Sequence, residues 1–513
     1  MMADHRLALS RPMGVARALQ PQPLDASAVL SRAVVLTGER ETLSTRNGAW
    51  CLLNSMRLLS RIVGQLRIVL PDNLGSLESE VRELTHALWS VGSVEVLLER
   101  EGPIATPVHA VLNVGAIVPG DSCWTTINSN GWLARVSSVP GRLSGDAALS
   151  NPLGAMAAAT LGVAEVFKRV YGINTEQAPL LEATEFSLYN LGASDPTAGP
   201  ELPGVMHLPD TLMVGAGAIG NAIALLLNQL QVHGRMHIVD KQDFAEENLG
   251  TCVLLDDKAW LGTSKAKRLA QALNGGNLTC TFEQSPIAIA ARGPILRAMT
   301  TELVLNALDD VEARRDTQLL WPSVLVDGGI NAVGAAVRVH RLDRPRWACM
   351  RCGFKQAVAS ATAVQSEATG LSKETLASDH DRQLNDADIA AAFPEKRSWL
   401  KVQQQLGRTV CATIAEAQAR RVGMNIAPGF RPSSPFVAGL SAVLVMAEAL
   451  KALYFKQVQT IQHFQMESIF IGPASGAALM TSASTRCECS VHRSHINDVA
   501  AVRGKRASMA RQV

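Results

Sequence analysis

Gly215, Gly217 and Gly220 follow the apolar run TLMV as G-A-G-A-I-G and lead into the helical pattern NAIALLLNQL. Backbone without side chains can approach a phosphate there, and the unpaired N–H groups at the helix start point at the anion. The next apolar run, RMHIVD, ends on Asp240, so the segment reads as the strand–turn–helix–strand of a nucleotide-binding βαβ unit. Alone, this pattern most often holds NAD or FAD, with Asp240 on the ribose hydroxyls.

Three further features lead away from hydride transfer. VDKQDFAEENLG places Asp243 three residues after Asp240, with Asn248 beyond it. GTSKAKRLA puts Lys265 at the start of a helix, where an ammonium can neutralise phosphates in transfer. LNALDDVEARR ends a strand on Asp309 and Asp310, with Arg314 following. A carboxylate at the C-terminal end of a strand suits Mg²⁺, which is held by one or two carboxylates plus phosphates.

The nine cysteines are an odd number in a large chain and do not form a disulfide framework. Cys349 and Cys352 form C-x-x-C in ACMRCGF, and Cys487 and Cys489 form C-x-C. Four thiolates in two close pairs suffice for a closed tetrahedral structural Zn²⁺ site, with His492 as a substitute for Cys489. Cys411 stands alone in GRTVCATIAEAQARR. It reads either as a small buried hydrophobe or as a nucleophile whose thiol pKa is lowered at a helix N-terminus. Cys51, Cys123, Cys252 and Cys280 read as packing thiols.

The elements that must carry these residues occur twice. The later set is strand TLMV, helix, strand RMHIVD, helix SKAKRLAQALN, strands ELVLNAL and SVLVDGG, and the closing helix SPFVAGLSAVLVMAEALKAL. The earlier set is AVVLTG, NGAWCLLNSMRLLSRIV, LRIVLPD, SLESEVRELTHALW, HAVLNVG and the closing helix NPLGAMAAATLGVAEVFKRV. The closing helices share A-E-x-x-K, at Ala164, Glu165 and Lys168 against Ala447, Glu448 and Lys451. In the earlier copy ERETLSTRNG stands where the glycine-rich turn belongs, and NVGAIV has no match for Asp309. That copy reads as a degenerate partner that supplies structure.

Taken together, the motifs from about 212 to 489 resemble the ubiquitin-activating-like enzymes of the ThiF/MoeB/HesA adenylyltransferase superfamily. That family carries G-x-G-x-x-G, D-x-x-D, N-L-x-R-Q, G-x-x-K-A and L-D-N-x-x-A-R, found here at 215–220, 240–243, 248–249, 262–266 and 308–314. The resemblance implies an α/β fold of two Rossmann-like adenylation domains in one chain, a pseudodimer with a cysteine-bearing insertion and a zinc clip. The expected division is a flexible 1–30, an inactive domain at 31–200 and an active one at 201–348. The zinc pair, crossover and cysteine segment follow at 349–433, the return at 434–490 and a basic tail at 491–513.

By the same resemblance Asp240 binds ribose, Asn248 and Lys265 contact ATP phosphates, and Asp309 holds Mg²⁺. The implied reaction adenylates the C-terminal carboxylate of a ubiquitin-like protein. Cys411 then takes it as a thioester and passes it to a conjugating enzyme. The layout is similar to activating enzymes of bacterial ubiquitin-like conjugation operons, some of which act against phage. Alternatives are adenylation for sulfur transfer or peptide modification, where Cys411 is dispensable, and a non-catalytic scaffold. Thr251 stands in place of the family's phosphate-binding arginine, and Arg268 or Arg46 could substitute.

Composition fits this expectation. The chain has 513 residues, 47% of them apolar, more than one core usually holds. A formal charge of +2 and 4% aromatic residues argue against a nucleic-acid binder. The two most apolar stretches, 151–171 and 434–454, each carry a Glu and a Lys and are not expected to span a membrane. With no signal-like N-terminus, the chain is expected in the cytoplasm.

Overall fold

The computed structural model describes residues 9–510 apart from 20–25, 92–94, 101–107, 121–122, 174–175, 177, 192–194, 300, 353, 355–364, 367, 379–381, 411, 415–416, 418–432 and 456–460. The first half builds a seven-stranded sheet from β1 (Ala33–Gly38), β2 (Gln65–Leu70), β3 (Glu95–Arg100), β4 (Ala110–Val114), β5 (Trp124–Asn130), β6 (Leu133–Ser137) and β7 (Thr184–Ser187). The second builds an eight-stranded sheet from β8 (Thr211–Val214), β9 (Gly234–Val239), β10 (Leu278–Glu283), β11 (Leu303–Asn306), β12 (Val324–Ile330), β13 (Ala335–Arg341), β14 (His463–Met466) and β15 (Gly476–Leu479).

The orders are β3-β2-β1-β4-β5-β6-β7 and β10-β9-β8-β11-β12-β13-β14-β15. In both sheets the first five strands run parallel and the rest antiparallel. This order arises when the chain winds outward from the middle on one side and then on the other. Its consequence is a switch point between β8 and β11, paired Val214 to Asn306, where the Gly215 and Asp309 loops leave the sheet side by side.

The helices the argument uses are α1 (Ser10–Leu19), α2 (Arg46–Leu59), α3 (Ser76–Ser90), α4 (Pro152–Tyr171), α5 (Ala218–Leu230), α6 (Lys265–Leu273), α7 (Val311–Thr317), α8 (Pro435–Tyr454) and α9 (Arg493–Ala510). α4 starts where the Asn151 side chain accepts from Leu153 N and Pro152 supplies the first helical φ, and it stops at Gly172 in the left-handed region, φ 66°. α8 likewise begins with proline. Phe167 on α4 meets Phe436 on α8 at 5.4 Å between ring centroids, and Gly439 lets the helices close. A Cβ at 439 would lie 2.9 Å from Met156 Cε and 3.0 Å from Thr160 Cγ2. Gly439→Val should therefore cost about 1–3 kcal/mol of stability by overpacking. Urea unfolding checks this, and Gly439→Ala should cost less because the Met156 methyl can give way.

The shared A-E-x-x-K marks one device used twice. Glu165 pairs with Lys168 and Glu448 with Lys451, all four buried. A buried pair needs further hydrogen bonds to offset desolvation. Lys168 Nζ donates to Pro179 O at 2.7 Å, whereas Lys451 Nζ donates to Leu188 O at 3.0 Å and Tyr189 O at 3.1 Å, in the other half. Among the described residues α8 is long and apolar enough to cross a membrane, but 94% of its apolar window is buried within the protein.

One expectation needs correction: within the 1–30 read as flexible, α1 buries Met13, Val15 and Ala16 in the main core, with Leu9 just before it. Within the segment expected to hold the crossover, the residues beyond 371 form three short helices, Lys373–Ala377, Asp386–Ala391 and Arg397–Gln405. They enclose their own cluster of Leu371, Leu376, Leu384, Ile389 and Leu400. The basic tail is helical as α9.

Candidate active site

The three glycines of the turn do different things. Gly215 has φ 93°, and a Cβ there would lie 2.7 Å from Ala307 O. A Cβ at Gly220 would lie 2.2 Å from Gly215 O, so this glycine lets α5 close on the turn. At Gly217, the residue that caps α5, a Cβ would meet nothing within 4 Å. The second glycine alone faces open space, where a ligand can approach the helix N-terminus.

Asp240, buried at the end of β9, holds that turn from the neighbouring strand. Its Oδ2 accepts from Ala216 N at 2.6 Å and its Oδ1 from Gln242 N at 2.7 Å. Asn221 ties the turn from inside, donating from Nδ2 to Ala216 O at 2.9 Å. Neither loop-holding role was legible in the sequence. Asp243 is exposed and accepts from Gln284 Nε2 at 2.8 Å. Asn248 is buried, and its Oδ1 accepts from Ala245 N at 2.9 Å to cap the 3₁₀ turn Glu246–Gly250.

Lys265 opens α6 behind its cap Ser264, whose Oγ accepts from Lys267 N at 3.3 Å. The lysine is only 4% exposed, donates from Nζ to Gln242 Oε1 at 2.8 Å and lies 6.0 Å from the Phe244 ring centre. Among the described residues no carboxylate comes within ion-pair distance of it. A buried ammonium with only neutral partners is costly unless an anion arrives. Its link to the turn is short: Lys265 N donates to Gln242 O at 3.1 Å, and Gln242 N reaches Asp240.

Across the switch point, the adjacent aspartates divide. Asp309 is exposed on the loop after β11, while Asp310 caps α7 by accepting from Ala313 N at 2.7 Å. Arg314 turns inward, donating from Nε to Leu308 O at 2.7 Å and from Nη1 to Asp327 Oδ2 at 3.3 Å. Burial pushes the Asp327 carboxyl up, and the Arg314 and Arg338 guanidinium groups pull it back.

Elsewhere, Cys349 Sγ lies 3.6 Å from Cys487 Sγ, and Cys352 Sγ 3.4 Å from Cys489 Sγ. All four are buried and within 4.8 Å of one another, while His492 is exposed. A tetrahedral zinc with thiolates at about 2.3 Å separates its sulfurs by about 3.8 Å, so the set fits that ion. Cys411 lies outside the described residues. Beside it Val410 and Ile414 belong to the small helical cluster, and Ala412 N donates to Thr409 Oγ1 at 3.2 Å. Burial pushes the Cys51 thiol up to about 12 and those of Cys252 and Cys280 up to about 11, as suits packing thiols.

Residues 208–489, which hold the glycine-rich turn, Asp240, Lys265, Asp309 and the four clustered cysteines, match the ThiF family. The chain belongs to that family. Residues 33–180 match the BilD N-terminal domain. Uncharacterized protein y4jF of Sinorhizobium fredii is 31% identical over 420 residues, covering 80% of this chain and 73% of its own. Among solved structures, E. coli MccB with succinimide aligns with TM-score 0.35 and 12% identity, over 55% of this chain and 66% of MccB. The E. coli tRNA N6-threonylcarbamoyladenosine dehydratase TcdA aligns with TM-score 0.24 and 14% identity, over 48% of this chain and 87% of TcdA.

This ThiF-family chain lacks the arginine expected where Thr251 stands, and the suggested substitutes are occupied elsewhere. Arg268 donates to Thr263 Oγ1 at 3.0 Å and to Ala259 O at 2.9 Å, bracing the loop before α6. Arg46 stacks 5.1 Å from the Trp50 ring centre, lining a cleft of about 750 Å³ with Gln229 and Gln231. That is the C-terminal end of α5, the far end from Gly217. Instead, Arg11 of α1 reaches Glu247 at 3.1 Å, beside the 3₁₀ turn. Arg61, fully buried just after α2, donates to the carbonyls of Cys252 at 3.1 Å, Val253 at 3.2 Å and Leu255 at 3.2 Å. Arg57, one helical turn earlier, reaches Val253 O at 3.2 Å and Asp256 Oδ2 at 3.0 Å. The i,i+4 spacing was the only trace of this pair in the sequence.

Proposed function

We propose that the chain activates a ubiquitin-like protein with ATP. The observation that carries this is Lys265, a buried cation with no carboxylate within ion-pair distance among the described residues, linked to the open face of Gly217. The α5 N-terminus and Lys265 bind the triphosphate, Asp240 and Asn248 line the nucleotide, and Asp309 holds Mg²⁺. When bound, Mg²⁺ supplies charge neutralisation at the phosphates. The partner's C-terminal carboxylate oxygen attacks the α-phosphorus, an acyl-adenylate bond forms and pyrophosphate leaves. The Cys411 thiol loses its proton and attacks the carbonyl carbon. A thioester forms, AMP leaves, and the acyl group passes to a cysteine of a conjugating enzyme.

The first half is read as an inactive copy in an internal pseudodimer. Its sheet repeats the order of the second, and Glu39 fills its switch point. Glu39 Oε1 accepts from Ala116 N at 3.0 Å and Ile117 N at 2.9 Å, and a Cβ at Gly115 would lie 2.4 Å from Glu39 Cδ. The cysteine cluster is read as a structural zinc site, whose thiolates would hold the ion in a closed tetrahedron. Elemental analysis should find about one zinc per chain, and Cys487→Ser should lower it.

The deciding experiment incubates the chain with Mg·ATP and a candidate ubiquitin-like protein with a free C-terminal glycine, then runs a non-reducing gel. A reducible adduct that Cys411→Ala loses supports the full reading. Pyrophosphate release without an adduct points to adenylation for sulfur transfer or peptide modification. Binding with neither signal leaves a scaffold.

A further inference from the structure

The cysteine cluster and the Asp309 loop are joined through the fold along two paths. Arg314 holds Leu308 O at 2.7 Å, and its helix α7 runs directly into the 3₁₀ turn Gln318–Leu320. Gln318 is buried, and its Oε1 accepts the backbone N–H of Met350 at 2.9 Å. Met350 lies between Cys349 and Cys352, and its fully buried side chain shares one apolar cluster with Phe354, Leu308 and Ala313. Trp321, next along the chain, packs against the cysteines themselves.

The second path crosses the sheet. The Arg338 guanidinium lies 4.7 Å from the Phe354 ring centre, just beyond the C-x-x-C. Arg338 stands opposite Asp327 in the β12–β13 register, and Asp327 Oδ2 accepts from Arg314 Nη1 at 3.3 Å. Both paths end on Arg314, the side chain that grips the carbonyl before Asp309.

We propose that metal at the four-cysteine cluster sets the position of the Asp309 loop, with Gln318 and Arg314 as positioning residues. A closed tetrahedral site fixes the backbone of its C-x-x-C, and the Met350 N–H is part of that backbone. Gln318 converts that fixed donor into a fixed end for α7, and Arg314 carries it to Leu308. The sequence had suggested only a structural clip at these cysteines. In the structure the cluster is one hydrogen bond from the segment that bears Arg314. The tether stands on these contacts alone, and only its effect on Mg²⁺ rests on the nucleotide reading above.

The test uses the full chain and Gln318→Met, which keeps the side-chain volume and removes the acceptor. Zinc content, amide exchange over 308–318 and the Mg²⁺ concentration for half-maximal ATP binding are measured together. Zinc should stay bound while loop exchange and the Mg²⁺ requirement each rise about three- to tenfold, the worth of one buried hydrogen bond. Phe354→Leu, which cuts the second path, should move the loop in the same direction if Gln318→Met fails to fold. Unchanged loop exchange in a zinc-loaded variant overturns the tether. So does a wild-type chain that holds no metal yet protects the loop equally. Faster loop exchange in a chain that binds no ATP supports the tether and removes the nucleotide reading.

Discussion

Asp309→Ala should lower ATP–pyrophosphate exchange by about a hundredfold or more, because the charge stabilising the phosphates loses its holder. The neighbouring carboxylate provides the control. Asp310 points to its own helix, accepting from Ala313 N at 2.7 Å, and asparagine caps a helix as well as aspartate. Asp310→Asn should therefore keep both exchange and stability. Two adjacent acids with opposite sensitivities separate a ligand-holding role from a helix-capping one. Exchange retained in Asp309→Ala removes the magnesium assignment.

The second large effect lies in the half without the glycine-rich turn. Arg61→Met removes a fully buried guanidinium and its hydrogen bonds to three carbonyls, leaving Leu255 O without its donor while Arg57 still reaches Val253 O and Leu255 N still reaches Cys252 O. A buried acceptor left unpaired costs about 1–3 kcal/mol, so the variant should lose about that much in urea unfolding. ATP affinity should fall with it, since 252–255 follows directly on Asn248 and Thr251. Arg61→Lys keeps the charge but not the planar fork, and should recover only part of the loss. An Arg61→Met chain as stable as wild type would mean that the halves are held without this tie.

What the sequence made legible was local. The turn at 215–220 could be placed because its glycines sit between a short apolar run and a helical one, and the structure then showed what stands against each glycine. The paired cysteines were legible by spacing, and the structure brings the four sulfurs of 349, 352, 487 and 489 within 4.8 Å of one another. Roles that depend on register or long-range packing stayed hidden. Asp240 holds Ala216 only because β8 and β9 lie side by side. Arg61 acts on backbone carbonyls far along the chain, and a carbonyl leaves no mark in a motif. Helix α1 was not read within 1–30 because it is short and basic, and its buried Met13, Val15 and Ala16 are too few to stand out from polar neighbours. The short helices beyond 371 were not legible for a related reason, their few leucines being widely spaced among Ala, Ser, Asp and Gln.

Glu39 has a consequence for how two such similar halves come to behave differently. Its carboxylate belongs to the chain, so its effective concentration at the Ala116 and Ile117 amides exceeds what a diffusing anion reaches in solution. The amides at the first switch point are thus already paired by the chain's own carboxylate, while beside the second, Lys265 is buried with Gln242 as its side-chain partner. A symmetric pair would turn over two ligands and could work out of step. On the reading proposed above, a fused pair with one self-filled cleft would commit each molecule to a single reaction at a time.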